Sequence, residues 1–292
     1  MGTLEGKTFV VTGANSGIGR VAAQHFAAEG AHVFLACRSE ERTAPVIAAI
    51  KQETGNQSVE FLELDLGSLA SVNACADRLL ARETPIHCLV NNAGVAGLRG
   101  LTSEGFEMHF GTNHLGHFLF TLRLLERLKE SAPARIVNVS SRSHYEVLTR
   151  IKFEAQRKTT RSPLGLREYA VSKLCNVLFT RSLIKRLEGS GVTAYALDPG
   201  TVATEIWQRK LWKPIANFIK LFMIDASDGA KTTIHCATSE EAGAETGLYY
   251  LKSSPTKPSR WARDDQLAEE LWQQSLEWVG EAGRAGLARA EP

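Results

Sequence analysis

Phe9-Val10-Val11-Thr12-Gly13-Ala14-Asn15-Ser16-Gly17-Ile18-Gly19 is the stretch that decides the fold. Apolar β-formers pass straight into Gly13-x3-Gly17-x-Gly19, and a helical pattern comes next. Glycines at those places let the backbone turn tightly, approach a pyrophosphate and pack the next helix close to the strand. The helix start then offers free N–H groups and the positive end of its dipole to phosphate. An ordinary strand–helix turn can use the same glycines, so the weight comes from their place after the first strand and from the motifs farther along the chain.

Beyond this run, short β-branched segments alternate with helix-length amphipathic ones. Strands are expected near 7–12, 31–37, 59–64, 86–90, 134–139, 192–197 and 247–251. Helices fall near 17–29, 39–53, 68–82, 104–130, 167–189 and 227–238. The alternation predicts an α/β fold, a single doubly wound Rossmann domain over residues 1–292. Its seven-stranded parallel sheet would carry helices on both faces. Two stretches escape the pattern and are expected to form substrate loops at the strand ends. Residues 142–166 are basic (Arg150, Lys152, Arg157, Lys158, Arg161), and 200–226 hold Trp207, Trp212, Phe218 and Phe222. Leu267, Leu271, Leu276 and Trp278 then predict a packed helix near 264–279.

A formal net charge of +2 over 292 residues gives no electrostatic case for nucleic acid. Cysteines 37, 75, 88, 175 and 236 are odd in number and lack CxxC spacing. Buried free thiols are expected, with no metal site. Met1-Gly2-Thr3-Leu4-Glu5-Gly6-Lys7 runs directly into a strand without a signal-peptide apolar stretch, and Gly6 does not fit a myristoylation start. Without an 18-residue apolar run no transmembrane span is expected, which suggests a cytoplasmic protein. Trp207, Trp212, Phe218, Phe222 and Met223 read first as a substrate lid. With Lys210, Lys213 and Lys220 they also fit a peripheral membrane contact.

The second strand ends in Ala36-Cys37-Arg38-Ser39, where a cofactor with a free ribose 2′-hydroxyl would favour an acid. A guanidinium there can pair with a 2′-phosphate, which favours NADP over NAD. Asp65, in Leu64-Asp65-Leu66, could accept from an adenine amino group or cap a helix, a role that Ser68 could also fill. Asn91-Asn92-Ala93-Gly94 after the fourth strand could lie against the cofactor's ribose.

Tyr169 and Lys173 in Tyr-Ala-Val-Ser-Lys share one helix face. An ammonium close by should favour the phenolate and draw the tyrosine pKa down, making Tyr169 a general acid/base for a carbonyl or alcohol oxygen. Ser141, with Ser140 as its rival, could polarise that oxygen. A surface Tyr–Lys pair is the commoner meaning of this spacing, but a preceding Ser-Ser strand end in a nucleotide-binding pattern reverses that. His114 and His117 lack a third ligand and read as packing or hydrogen-bonding residues. His144 and Tyr145 fit either a pocket wall or a loop contact.

Taken together, these motifs closely resemble the short-chain dehydrogenase/reductase family, over nearly the whole chain. They are Thr12-Gly13-Ala14-Asn15-Ser16-Gly17-Ile18-Gly19, Asn91-Asn92-Ala93-Gly94, Ser141 and Tyr169-x3-Lys173. The resemblance implies cofactor contacts from Gly13, Asn15, Ser16, Gly17, Ile18, Gly19, Arg38, Asp65, Leu66, Asn91, Ala93, Gly94, Tyr169 and Lys173. It adds Pro199, Gly200, Thr201, Val202 and Thr204 near the nicotinamide, and Asn113 as the helix asparagine holding a water on the proton path. Ala36-Cys37-Arg38, Gly105-Phe106-Glu107-Met108-His109, Asn113-His114-Leu115-Gly116-His117-Phe118 and Asp198-Pro199-Gly200-Thr201-Val202 are similar to the retinol dehydrogenase-like branch. That branch implies NADP and a small hydrophobic alcohol, aldehyde or ketone, and the family implies homo-oligomers. Two departures from it are expected: no N-terminal anchor, and a Ser141–Tyr169 gap longer than the compact one common in the wider family. The rival from another class is a non-catalytic NADP-binding regulatory or scaffold protein of the same fold.

Overall fold

Strands that are apolar on both faces can be buried only between two layers of helix. In the computed structural model, which describes residues 2–200 and 225–288, the strands lie in the order β3-β2-β1-β4-β5-β6-β7-β8. These are β1 Thr8–Thr12, β2 His32–Cys37, β3 Val59–Glu63, β4 Cys88–Asn91, β5 Ala134–Val139, β6 Val192–Asp198, β7 Tyr249–Leu251 and β8 Ser254–Pro255. The first seven pair in parallel. Among the described residues the sheet thus has eight strands rather than the expected seven. The eighth is a two-residue exposed edge, antiparallel to β7, with no apolar run to announce it. Its turn is Lys252-Ser253, with φ values of 51° and 58°, the left-handed pair that matches the twist of a tight hairpin.

Register turns the alternation of side chains into two cores. Phe34, Val10, Leu89, Ile136 and Ala194 stand abreast on one face, and Leu35, Val11, Val90, Val137 and Tyr195 on the other. The first row is covered by α3 (Leu69–Leu80), α5 (Gly116–Glu130), α6 (Leu166–Arg186) and α9 (Asp265–Ala288). The second row meets α1 (Gly17–Ala28), α2 (Glu40–Thr54) and α7 (Ala226–Thr238). The helices dock by apolar stripes such as Val72, Cys75, Ala76 and Leu79 of α3. All five cysteines are buried and free.

The helix expected from 104 starts later. Gly105 is left-handed (φ 76°), and the Glu107 carboxylate accepts from the His109 and Phe110 N–H groups at 2.8 and 2.9 Å. That acid caps α4 (Met108–Phe110) and makes 107 the boundary. A π-helical turn, Gly111–Leu115, carries α4 into α5 and contains Asn113; such turns often mark functional sites. The short helix α8 (Glu240–Gly243) precedes β7. Among the described residues no helix is long and apolar enough to cross a membrane.

Candidate active site

Strand order reverses between β1 and β4, and a parallel sheet of this kind opens its crevice at the carboxyl ends beside such a switch. Gly13 and Gly17 take left-handed φ values of 65° and 54°. A Cβ on Gly13 would lie 2.9 Å from Ala93, and one on Gly19 would lie 2.5 Å from Asn92 Nδ2 and 2.6 Å from the Gly13 oxygen. Both positions therefore require glycine. Ser39 and Ser68 cap α2 and α3 with their hydroxyls, whereas Ser16 makes no such bond at the start of α1. Its first N–H groups stay available to an anion, which fits a dinucleotide pyrophosphate.

Asn15 is half-buried and Ser16 exposed, while Ile18 is buried against Ala230 of α7. Arg38 is exposed one residue beyond β2. Asp65 uses one carboxylate oxygen to accept from the Gly67 N–H at 2.9 Å, and Ser68 rather than Asp65 caps α3. Leu66 is buried, and its carbonyl sits so close to Gly116 that a Cβ there would meet it at 2.4 Å. The Asn91 amide points into the core, donating to Thr121 Oγ1 and Asn138 Oδ1 at 2.9 and 2.8 Å. Only the backbone of Asn91 is left to face the crevice. Ala93 and Gly94 line the turn, and a Cβ on Gly94 would lie 3.4 Å from Asn113 Oδ1 and 3.5 Å from Lys173 Nζ. Gly94 thus joins the cofactor end to the chemical end.

At that end, Lys173 is buried in α6 and donates from Nζ to the Val139 carbonyl at 3.0 Å. Its Nζ stands 5.7 Å from the centroid of the Tyr169 ring. Ser141 hydrogen-bonds the Tyr169 side chain and receives the Ser143 N–H at 3.2 Å. Ser140 is placed differently. It is buried, and its hydroxyl donates to the Lys173 carbonyl at 2.7 Å. Asn113 grips the turn after β4, accepting from Val95 N at 2.7 Å and donating to Val95 O and Ser172 Oγ at 3.0 Å each.

One expectation is overturned. Lys173 does not draw the tyrosine down. Enclosure of the phenol pushes Tyr169 up to about 12, with the Ser141 hydrogen bond pulling the other way and Asp198 and Glu146 adding to the rise. Burial also lowers Lys173 to about 8, against the pull of Asp198. Helical spacing brings the two side chains together, but desolvation of a phenolate outweighs a neighbour whose ammonium is itself poorly solvated and aimed at a carbonyl.

Asp198, part of the Asp198-Pro199-Gly200-Thr201-Val202 motif but given no role from sequence, is buried at the end of β6. It accepts from the Gly200 N–H at 2.9 Å and lies 3.9 Å from Arg142 Nε. Its place directly before Pro199-Gly200 was the available signal. Thr201, Val202, Thr204 and the aromatic residues 207–223 lie outside the described residues. His144 serves as a loop contact. It accepts from the Ser259 N–H at 3.1 Å and donates to the Ser141 carbonyl at 2.7 Å. Tyr145, partly exposed, donates to the Lys257 carbonyl at 2.6 Å. His114 hydrogen-bonds Ser275 at 3.0 Å, and burial lowers it to about 3. Among the described residues no cluster of His, Cys, Asp and Glu could hold a metal ion.

Residues 7–151 match the short chain dehydrogenase family model. Mouse retinol dehydrogenase 12 is 44% identical over 283 residues, 95% of this chain and 87% of that protein. A crystal structure of an uncharacterised protein from Mycobacterium paratuberculosis superposes with a TM-score of 0.76 at 34% identity, covering 96% and 95% of the two chains. The NADH complex of 3-ketoacyl-(acyl-carrier-protein) reductase from Brucella melitensis superposes at 0.65 and 26%, covering 85% and 96%. The chain belongs to the short-chain dehydrogenase/reductase family of oxidoreductases, in its retinol dehydrogenase-like branch.

Proposed function

We propose that this enzyme uses NADP to interconvert a hydrophobic alcohol and its aldehyde or ketone. The observation that carries this is the meeting of Ser141, Tyr169 and Lys173 at the end of β5, beside the Gly94 turn, where an added Cβ would be in van der Waals contact with Lys173 Nζ. Bound nicotinamide would supply or accept the hydride, and the protein supplies position and protons. The open start of α1 and the turn from Gly13 to Gly19 would hold the pyrophosphate. Arg38 would pair with the 2′-phosphate.

With its pKa near 12, Tyr169 keeps its proton at neutral pH. It can give that proton to a carbonyl oxygen as the carbon is reduced, and take it back when the alcohol is oxidised. The Ser141 hydroxyl would polarise the same oxygen, and Lys173 would stand beside the phenolate left behind. Asn113 holds Val95 and Ser172 in register around them. Retinol dehydrogenase 12, matched over most of its length, supports an extended apolar substrate.

The test is NADPH and NADH oxidation with a panel of long-chain and retinoid aldehydes, repeated with Arg38→Asp. The expected outcome is a preference for NADPH that falls by about 100-fold in the variant, the loss of one charge-assisted phosphate pair plus new repulsion. An unchanged preference would remove Arg38 from the account, and no turnover with any aldehyde would overturn the function.

A further inference from the structure

We propose that His117 is a positioning residue that locks the dinucleotide turn to the Asn113 carbonyl, so that cofactor seating and the proton-transfer residues are set together. The inference rests on the functional assignment above and concerns a side chain to which that assignment gives no role. His117 is the second residue of α5, directly after the π-helical segment, and is 2% exposed. Its Nε2 is 2.9 Å from Thr12 Oγ1 at the end of β1, and its Nδ1 is 3.0 Å from the Asn113 carbonyl oxygen.

Proton positions come from valence. Thr12 Oγ1 receives the N–H groups of Asn92 and Ala93, both at 2.9 Å, which fills its two lone pairs. Its single hydrogen must be donated. The Val90 carbonyl is 3.4 Å away and His117 Nε2 is 2.9 Å away, so Nε2 is the better acceptor. Independently, a carbonyl can only accept, so Nδ1 carries the imidazole hydrogen. The two ends agree on one neutral tautomer. Burial, with Lys173 nearby, lowers His117 to about 4, despite the Asn113 carbonyl favouring the charged ring. The ring is thus neutral at working pH.

The consequence is a closed clamp. Thr12 holds the first residues of the Asn92-Ala93-Gly94-Val95 turn, and the Asn113 side chain holds the last. His117 connects the two holders. Asn113 in turn reaches Ser172, whose hydroxyl donates to the Tyr169 carbonyl at 2.7 Å. A shift of the glycine turn on loading would travel through Thr12 and His117 to the backbone beside Tyr169 and Lys173. Plain core packing would need none of this polarity, since a buried aromatic of similar size fills the same space.

The two halves of the ring can be tested apart. Asn at 117 keeps a donor near the Nδ1 position, and Gln can place an acceptor near Nε2. In the full-length enzyme, NADPH affinity is read by fluorescence titration and the hydride step by single turnover with a hydrophobic aldehyde. His117→Gln should retain affinity and lose about tenfold in rate, whereas His117→Asn should do the reverse. His117→Phe should lose about tenfold in both, because it breaks the links to Thr12 and to the Asn113 carbonyl together. Equal losses in Asn and Gln variants, or wild-type values in all three, would overturn the proposal. Should the variants not fold, 15N chemical shifts of histidine-labelled wild type decide. Protonated Nδ1 with bare Nε2 is expected, and the opposite tautomer overturns it. Wild type that neither binds NADPH nor reduces aldehydes would instead sink the functional assignment itself.

Discussion

The turn from Thr12 to Gly19 and the loop from Arg142 to Gly165 border the same crevice, yet they are held in different ways. The turn is specified by its glycines: positive φ at Gly13 and Gly17, and no space for a Cβ at Gly13 against Ala93 or at Gly19 against Asn92 and the Gly13 oxygen. The loop has three short 3-10 turns, Arg142–Glu146, Phe153–Arg157 and Pro163–Gly165, that could not stand alone. Distant side chains fix it. Thr160 donates to the buried Glu107 carboxylate at 2.5 Å, His144 reaches Ser259, and the Arg157 guanidinium lies 3.8 Å from the Phe106 ring centroid. A shape written in local residues binds what every family member shares. A shape written in long-range contacts can change from one member to the next and set substrate choice.

The sharpest way to break this contrast is Gly19→Val. The added atoms run into Asn92 and the Gly13 carbonyl, and NADPH affinity should fall by about 100-fold or more while the melting temperature moves little, because the clash is confined to the turn. Titration of nucleotide fluorescence checks it. On the loop side, Glu107→Ala removes one carboxylate that serves His109, Phe110 and Thr160 together. A loss of about 4 kcal/mol in denaturant unfolding is expected, with affinity for NADPH in surviving folded protein within twofold of wild type. Equal effects on both measurements in either variant would erase the distinction between the two regions.

Lys173 stands where the regions meet and gives a smaller, pH-dependent effect. Its folded pKa of about 8 lies below the ordinary lysine value of 10.5. A depressed pKa means that the fold favours the neutral amine. Its stabilising contribution is therefore complete above about pH 10.5 and lost as pH falls to 8. Wild type should gain up to about 3 kcal/mol relative to Lys173→Met between pH 8 and 10.5. A constant gap across that window, in urea melts at several pH values, would show that burial does not control this lysine.

Much of the architecture was legible because it rests on periodicity. Rows such as Phe34, Val10 and Leu89 arise from alternation, and the Tyr169–Lys173 pairing from helical spacing. Three features were not. β8 is two exposed residues with no hydrophobic pattern. The start of α4 depends on one buried acid, Glu107, in a stretch whose apolar spacing runs on regardless. The direction of the Tyr169 shift depends on how much water each group loses and on where Lys173 Nζ points, and neither is encoded in a spacing of four. In sequence His117 reads as a packing or hydrogen-bonding histidine, but its partners Thr12 and Asn113 belong to motifs about a hundred residues and four residues away, and only the fold brings them to one ring.

The central claim is that the Tyr169 phenol is the proton donor in a dinucleotide crevice. It is tested most directly by Tyr169→Phe, with NADPH affinity and aldehyde reduction measured on the same folded sample. The account predicts a fall in turnover of about a thousandfold with affinity within a few-fold of wild type. Turnover within tenfold of wild type would contradict it.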